Sequence, residues 1–192
     1  MFSMSTKNDF LHVPYGKTVH GEEEIEAVVN VLRTSTQMGK NVREFEEKVA
    51  ALYDKKHGVM VNSGSSALYL AVDLLQLPEG SEVITPALTF ATTVAPLVKN
   101  GLIPAFVDVE EGTYNTDWSK VEEMITPKTK AFMIPNLMGN LPDWKKLREI
   151  ADKHNLFVVE DSADTLGAEI DGKSSGRFAD MSATSFYGSH VI

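Results

Sequence analysis

Residues 82–109 read EVITPALTFATTVAPLVKNGLIPAFVDV. Two short apolar runs with β-branched members, EVITP (82–86) and PAFVDV (104–109), flank TFATTVAPLVKNG (89–101), whose apolar residues recur at helical spacing. The stretch predicts strand, helix, strand, with Pro96 inside the helix. Two strands joined through a helix pair in parallel, because parallel pairing needs a long crossover. That crossover is expected to be right-handed.

The same alternation continues on both sides. Toward the carboxyl end, TDWSKVEEMI (116–125) predicts a helix with Thr116 as N-cap, and KAFMIPN (130–136) a strand. PDWKKLREIADKHN (142–155) predicts a helix with Pro142 in its first turn, and LFVVED (156–161) a strand ending in two carboxylates. GAEIDGKSSG (167–176) contains Asp171-Gly172, a strong hairpin signal, and MSATSFYG (181–188) predicts a last strand. Toward the amino end, SSALYLAVDLLQL (65–77) predicts a helix stopped by Pro78 and Gly80, and GVMVNS (58–63) a strand. Val42, Phe45, Val49 and Leu52 mark one amphipathic helix; Ile25, Val28, Val29 and Leu32 mark another. The latter opens on Glu22, Glu23 and Glu24, which suit the positive end of a helix dipole. Residues 1–21, with Pro14 and Gly16, predict an irregular arm.

Strands alternating with helices predict an α/β fold, a three-layer sandwich with a mostly parallel central sheet covered on both faces. Residues 22–192 are expected to form this single large domain. The sequence stops four residues after Gly188 with no closing helix, so a fragment is expected; the family resemblance described below implies that it is amino-terminal and lacks a smaller carboxyl-terminal domain.

Composition narrows the function. A net charge of −9 argues against non-specific binding to nucleic acid or to an anionic membrane. No apolar window reaches the length of a membrane span, and MFSMSTKNDF lacks the pattern of a secretory leader, so a cytoplasmic protein is expected. The absence of cysteine removes disulfides, thiolate catalysis and cysteine-ligated zinc from these residues. His12, His20, His57 and His154 have no metal-ligand spacing, and no metal site is expected.

In open α/β sheets ligands gather at the carboxyl ends of the strands. Asn62-Ser63-Gly64-Ser65-Ser66 lies between an expected strand and a helix: either a plain serine-capped turn, or a phosphate seat made of small residues and helix N–H groups. It is neither a dinucleotide fingerprint nor a nucleotide P-loop. Asp161 ends an apolar strand, as a local anchor or as partner to a ligand cation, and Asp164 follows it. Phe90 opens a helix, as a core residue or as a ring that stacks on a flat ligand. His190 ends SFYGSH, as a surface residue or as a proton carrier.

Taken together, NSGSSAL, ITPALTFATT, FVDVEEGTYN, EDSADTLGAEIDGKSSGRFAD and TSFYGSH stand in the order and at the spacing of one family. From about Pro14 to Ile192 the chain resembles the DegT/DnrJ/EryC1/StrS group of fold-type I enzymes, which use pyridoxal 5'-phosphate or pyridoxamine 5'-phosphate on nucleotide-linked keto sugars. The resemblance implies that Gly64, Ser65 and Ser66 hold the cofactor phosphate together with Ser185. It implies that Phe90 stacks on the pyridine ring and Asp161 pairs with its nitrogen. A nearby anion keeps that nitrogen protonated, and a protonated ring is the better electron sink. A homodimer follows by the same analogy.

One departure directs the function. The family's aminotransferases carry a lysine, which tethers the cofactor, at the place of His190. Imidazole has no primary amine, but it exchanges protons near neutral pH. The resemblance is therefore to the branch of 4-keto-6-deoxyhexose 3-dehydratases. It implies that the pyridoxamine form condenses with the sugar's C4 ketone, that His190 removes a proton from the cofactor methylene, and that the C3 hydroxyl leaves. Asn136-Leu137-Met138-Gly139-Asn140 resembles that branch's version of a segment reading His-Leu-Tyr-Gly in the aminotransferases. Asp164 stands where the aminotransferases carry Gln, and could accept a hydrogen bond from the cofactor's ring hydroxyl. Gln37, Met38 and Gly39 match a substrate-facing loop, and Asn136 is placed with them as substrate-binding. The alternatives are a nucleotide-sugar aminotransferase, and a non-catalytic homologue or inactive fragment.

Overall fold

The structure, a computed structural model, describes residues 19–188 and His190. The expected amino-terminal arm lies almost wholly outside the described residues, as do Ser189, Val191 and Ile192. Five strands form one parallel sheet in the order β2-β1-β3-β4-β7. They are β1 (Glu82–Pro86), β2 (Ile103–Val107), β3 (Thr129–Pro135), β4 (Phe157–Ser162) and β7 (Met181–Thr184). Two further short strands, β5 (Glu169–Ile170) and β6 (Lys173–Ser174), make an antiparallel hairpin. Its turn residues Asp171 (φ 52°) and Gly172 (φ 70°) both take positive φ, as the Asp-Gly signal predicts.

Six helices accompany the strands: α1 (Glu22–Thr34), α2 (Lys40–Leu52), α3 (Gly64–Leu74), α4 (Ala91–Lys99), α5 (Trp118–Val121) and α6 (Trp144–His154). Successive residues of a strand point to opposite faces, and the core divides accordingly. Val83, Ala131, Met133 and Val159 pack with Leu68, Ala71 and Val72 of α3 and Leu97 of α4. Ile84, Phe132, Ile134 and Val158 pack with Val121 of α5 and Trp144, Leu147 and Ile150 of α6. Both faces of the central strands are thus covered, which makes the expected three layers.

The strand order positions the site. From β1 the chain passes through α4 to β2 on one side, then crosses through α5 to β3 on the other. The order therefore reverses between β1 and β3. In open sheets the crevice at such a reversal, beyond the carboxyl ends of the strands, is where ligands bind.

Several local expectations are corrected. Residues 58–63 are not a strand. Val59 and Met60 are exposed, the Met60 N–H bonds Glu46 Oε1 (2.8 Å), and Gly58 sits so close to α2 that a Cβ would fall 2.5 Å from the Glu46 carbonyl oxygen. This segment is held by a helix and not by a ladder. The helix expected over 116–125 is one turn, α5, followed by a 3-10 turn at Glu122–Met124. Its cap is Asp117, whose side chain accepts from the Ser119 N–H, while Thr116 is buried. Asp143 caps α6, so Pro142 precedes the cap and does not lie in the first turn. The apolar stripe of α1 forms as expected, but Ile25, Val28 and Leu32 remain exposed. Among the described residues no helix is long and apolar enough to cross a membrane, and no cluster of three or more His, Asp or Glu could hold a metal ion.

Candidate active site

Four loops at the carboxyl edge of the sheet carry most of the expected residues. Asp161 is the second-last residue of β4 and is 5% exposed. Its Oδ2 accepts from Thr93 Oγ1 (2.7 Å) and its Oδ1 from the Ala163 N–H (3.2 Å). No ion pair neutralises it among the described residues. Burial pushes its carboxyl above the ordinary value; the bonds from Thr93 and Ala163 oppose this, and Asp164 and Glu160 add to it. A buried carboxylate with neutral donors and no cation is a seat for a cationic ligand group.

Phe90 is the N-cap of α4, just beyond β1, and the residue is 72% exposed. It is free for a flat ligand and plays no part in the core. Thr93, one turn into α4, is wholly buried, and its hydroxyl also meets Thr89 Oγ1 (2.7 Å). Thr93 lies inside ITPALTFATT, with nothing in its residue type alone to mark it. The signal was available: Thr89 and Thr93 are four apart, on one side of a helix start beside Phe90.

Gly64 opens α3, capped by Ser63, whose Oγ accepts from the Ser66 N–H (3.1 Å). The Gly64 and Ser65 N–H groups have no protein acceptor among the described residues. Ser185, just after β7, closes on this turn: a Cβ on Gly64 would lie 3.0 Å from Ser185 Cβ and 3.1 Å from its Oγ. A side chain at Gly64 would require Ser185 to give way by a few tenths of an ångström. Free amides at a helix start beside a serine hydroxyl form a cradle suited to a phosphate. The donor set therefore fits a phosphorylated pyridine: amides for the phosphate, an aromatic ring for the ring face and a buried anion for the ring nitrogen.

Asp164 and Asn136 lace two loops together. Asp164 Oδ2 accepts from the Met138 N–H (2.9 Å), and Met138 is held at φ 54°. Asn136 is 1% exposed. Its Nδ2 donates to Glu160 Oε1 (2.8 Å), with Ser162 Oγ (3.1 Å) and Thr165 Oγ1 (3.2 Å) also near; its Oδ1 accepts from Trp144 Nε1 (2.8 Å). With the amide so engaged, Asn136 ties the end of β3 to β4 and α6. Glu160, fully buried, also accepts from Ser175 Oγ (2.6 Å) and Ser182 Oγ (2.5 Å).

His190 follows β7, the strand beside the one that bears Asp161. Its N–H donates to the Tyr187 carbonyl (2.8 Å), and its ring meets the Tyr187 ring edge-on at 5.5 Å. It is half-buried, with Nδ1 shielded and unbonded among the described residues. Phe186 packs edge-on against Phe45 of α2 at 4.8 Å, fixing the strand end that leads to it. Gln37, Met38 and Gly39 form the turn between α1 and α2, and no side chain there bonds another candidate residue among the described ones. The structure does not join them to the Asp161 end.

Residues 18–192 match the DegT/DnrJ/EryC1/StrS aminotransferase family, and the chain belongs to it. It is 38% identical over 187 residues to dTDP-4-dehydro-2,6-dideoxy-D-glucose 3-dehydratase of Saccharopolyspora spinosa, covering 93% of this chain and 40% of that protein. Among solved structures it resembles a histidine-to-asparagine variant of GDP-4-keto-6-deoxymannose-3-dehydratase with bound GDP-perosamine (TM-score 0.88, 31% identity, 93% of this chain and 48% of that one). It equally resembles the sugar aminotransferase Spr1654 of Streptococcus pneumoniae in its PLP form (TM-score 0.87, 28% identity, 94% and 50%). The chain thus spans about half the length of these relatives, which include both sugar dehydratases and sugar aminotransferases.

Proposed function

We propose that residues 22–192 are the cofactor-binding domain of a pyridoxamine phosphate-dependent enzyme that removes the 3-hydroxyl of a nucleotide-linked 4-keto-6-deoxyhexose. The observation that carries the dehydratase reading is the half-buried imidazole of His190 in TSFYGSH, where the family's aminotransferases carry a lysine. Similarity to a 3-dehydratase in sequence and to another in structure supports it. When bound, the cofactor would supply an amine for the sugar ketone and a ring that accepts an electron pair.

The chain's own residues would divide the remaining work. Gly64, Ser65, Ser66 and Ser185 would hold the phosphate, with the α3 dipole favouring negative charge there. Phe90 would cover one ring face. Asp161, as an anion, would keep the ring nitrogen protonated. Asp164 would accept a hydrogen bond through Oδ1, since Oδ2 is committed to Met138. Neutral His190 would take one proton at a ring nitrogen and pass it on. By family analogy the working unit would be a homodimer.

Borohydride treatment of the protein made from its full reading frame, followed by mass spectrometry, tests this. The expected result is turnover of a keto sugar with no pyridoxyl group fixed to any lysine. A pyridoxyl-lysine would overturn the untethered reading and favour the aminotransferase, which the likeness to the sugar aminotransferase supports.

A further inference from the structure

The bonds around Asp161 have a direction. Thr93 owns a single hydroxyl hydrogen and is wholly buried. If Asp161 is an anion it can only accept, so Thr93 must spend that hydrogen on Oδ2, at 2.7 Å. The bond between Thr89 and Thr93, also 2.7 Å, can then form only with Thr89 as donor. The chain runs Thr89 to Thr93 to Asp161 and ends on the negative charge. Chains of this kind polarise one another, and a bond to an ionised acceptor is the stronger kind. Were Asp161 to take a proton on Oδ2 and donate it to Thr93, the order would reverse.

We propose that Thr89 and Thr93 form a hydroxyl relay, with Thr93 as the positioning residue that fixes the Asp161 carboxylate and holds it as an anion toward the cofactor ring nitrogen. The need for such a device is visible in the surroundings. The charged groups acting on Asp161 are Asp164 and Glu160, both acidic, and burial disfavours the anion further. Against these stand, among the described residues, two donors, Thr93 and the Ala163 N–H. Thr93 is the one a side-chain change can remove. Its place one turn past Phe90 ties the carboxylate to the helix that presents the stacking ring.

The inference rests on the reading of Asp161 as the ring nitrogen's partner, and the experiment separates the two. In the protein made from its full reading frame, pyridoxamine phosphate is titrated into wild type, Asp161→Asn, Thr93→Val, Thr93→Ser and Thr89→Val. Affinity and the absorption band of the bound ring are followed against pH. Thr93→Val is expected to weaken binding about tenfold. By making Asp161 more basic it should also draw the shared proton from the ring nitrogen toward the carboxyl, seen as a change in the absorption band of the bound ring. Thr93→Ser restores both, and Thr89→Val shows the same changes at about threefold, since it removes only the outer donor. Should Thr93→Val not fold, Thr89→Val, at a half-buried position, decides alone. Unchanged affinity and spectrum in the valine variants, or failure of serine to restore them, overturns the relay. If Asp161→Asn itself leaves binding and band unchanged, the reading of Asp161 falls and the relay with it.

Discussion

At Asp161 stability and the proposed role pull in opposite directions. Its carboxyl is held above the ordinary value of about 3.9 by burial. As pH rises from there, the unfolded chain gives up this proton before the folded one does. Folding is therefore favoured at low pH and loses that advantage as pH climbs through the raised value. Asp161→Asn removes the buried charge, so its melting temperature in the cofactor-free state should exceed wild type at pH 7 while sugar turnover is lost. A melting point below wild type would show that the charge is stabilising. For His190→Asn, turnover should fall by about 10²–10⁴-fold, the ordinary contribution of a positioned base, with folding unchanged. A rate near wild type would move the proton transfer elsewhere. Asp161, Phe90 and Gly64 were legible in the sequence as residues at a strand end or helix start, although only the family resemblance gave them roles. Asn136 was not. Its partners lie 24 to 29 residues away at Glu160, Ser162 and Thr165, and only the folded sheet brings them into reach.

The elements were legible where local chemistry decides and illegible where a neighbour does. Strand β1 occupies the expected residues, and β3 and β4 fall within a residue of the expected ends, because strands buried on both faces read as unbroken apolar runs. The 58–63 run looks the same in sequence but has no strand beside it, and α2 captures it instead. The network under β4 then behaves as one structural unit. Asn136 ties β3, β4 and α6 by bonding Glu160 and Trp144 at once. Asn136→Ala should cost about 3–5 kcal/mol, since it strips a donor from a buried carboxylate and leaves an indole N–H unpaired. Urea denaturation measures this, and a loss under about 1 kcal/mol would show that water replaces the amide. Gly176 offers a second check. A Cβ there would lie 2.3 Å from the Tyr53 carbonyl oxygen, at the end of α2. Gly176→Ala should therefore loosen α2 from the sheet, exposing its tyrosine to fluorescence quenchers; unaltered quenching would contradict that contact.

For the molecule as a unit, the reversal between β1 and β3 gathers distant parts of the chain at one edge. A ligand seated there binds only the folded form. Pyridoxamine phosphate at a hundred times its dissociation constant should add about 2.7 kcal/mol to stability, read as an upward shift in thermal melts. No shift at any concentration would remove it as the ligand. The approach of Ser185 to Gly64 also bears on biosynthesis. A ribosome delivers Gly64 early and Ser185 only after every inner strand has been made. A nascent chain arrested after β4 could already lay down four of the five parallel strands, yet its phosphate cradle would have one wall. Completion of the proposed anion seat thus waits for β7, after the other four parallel strands have been made.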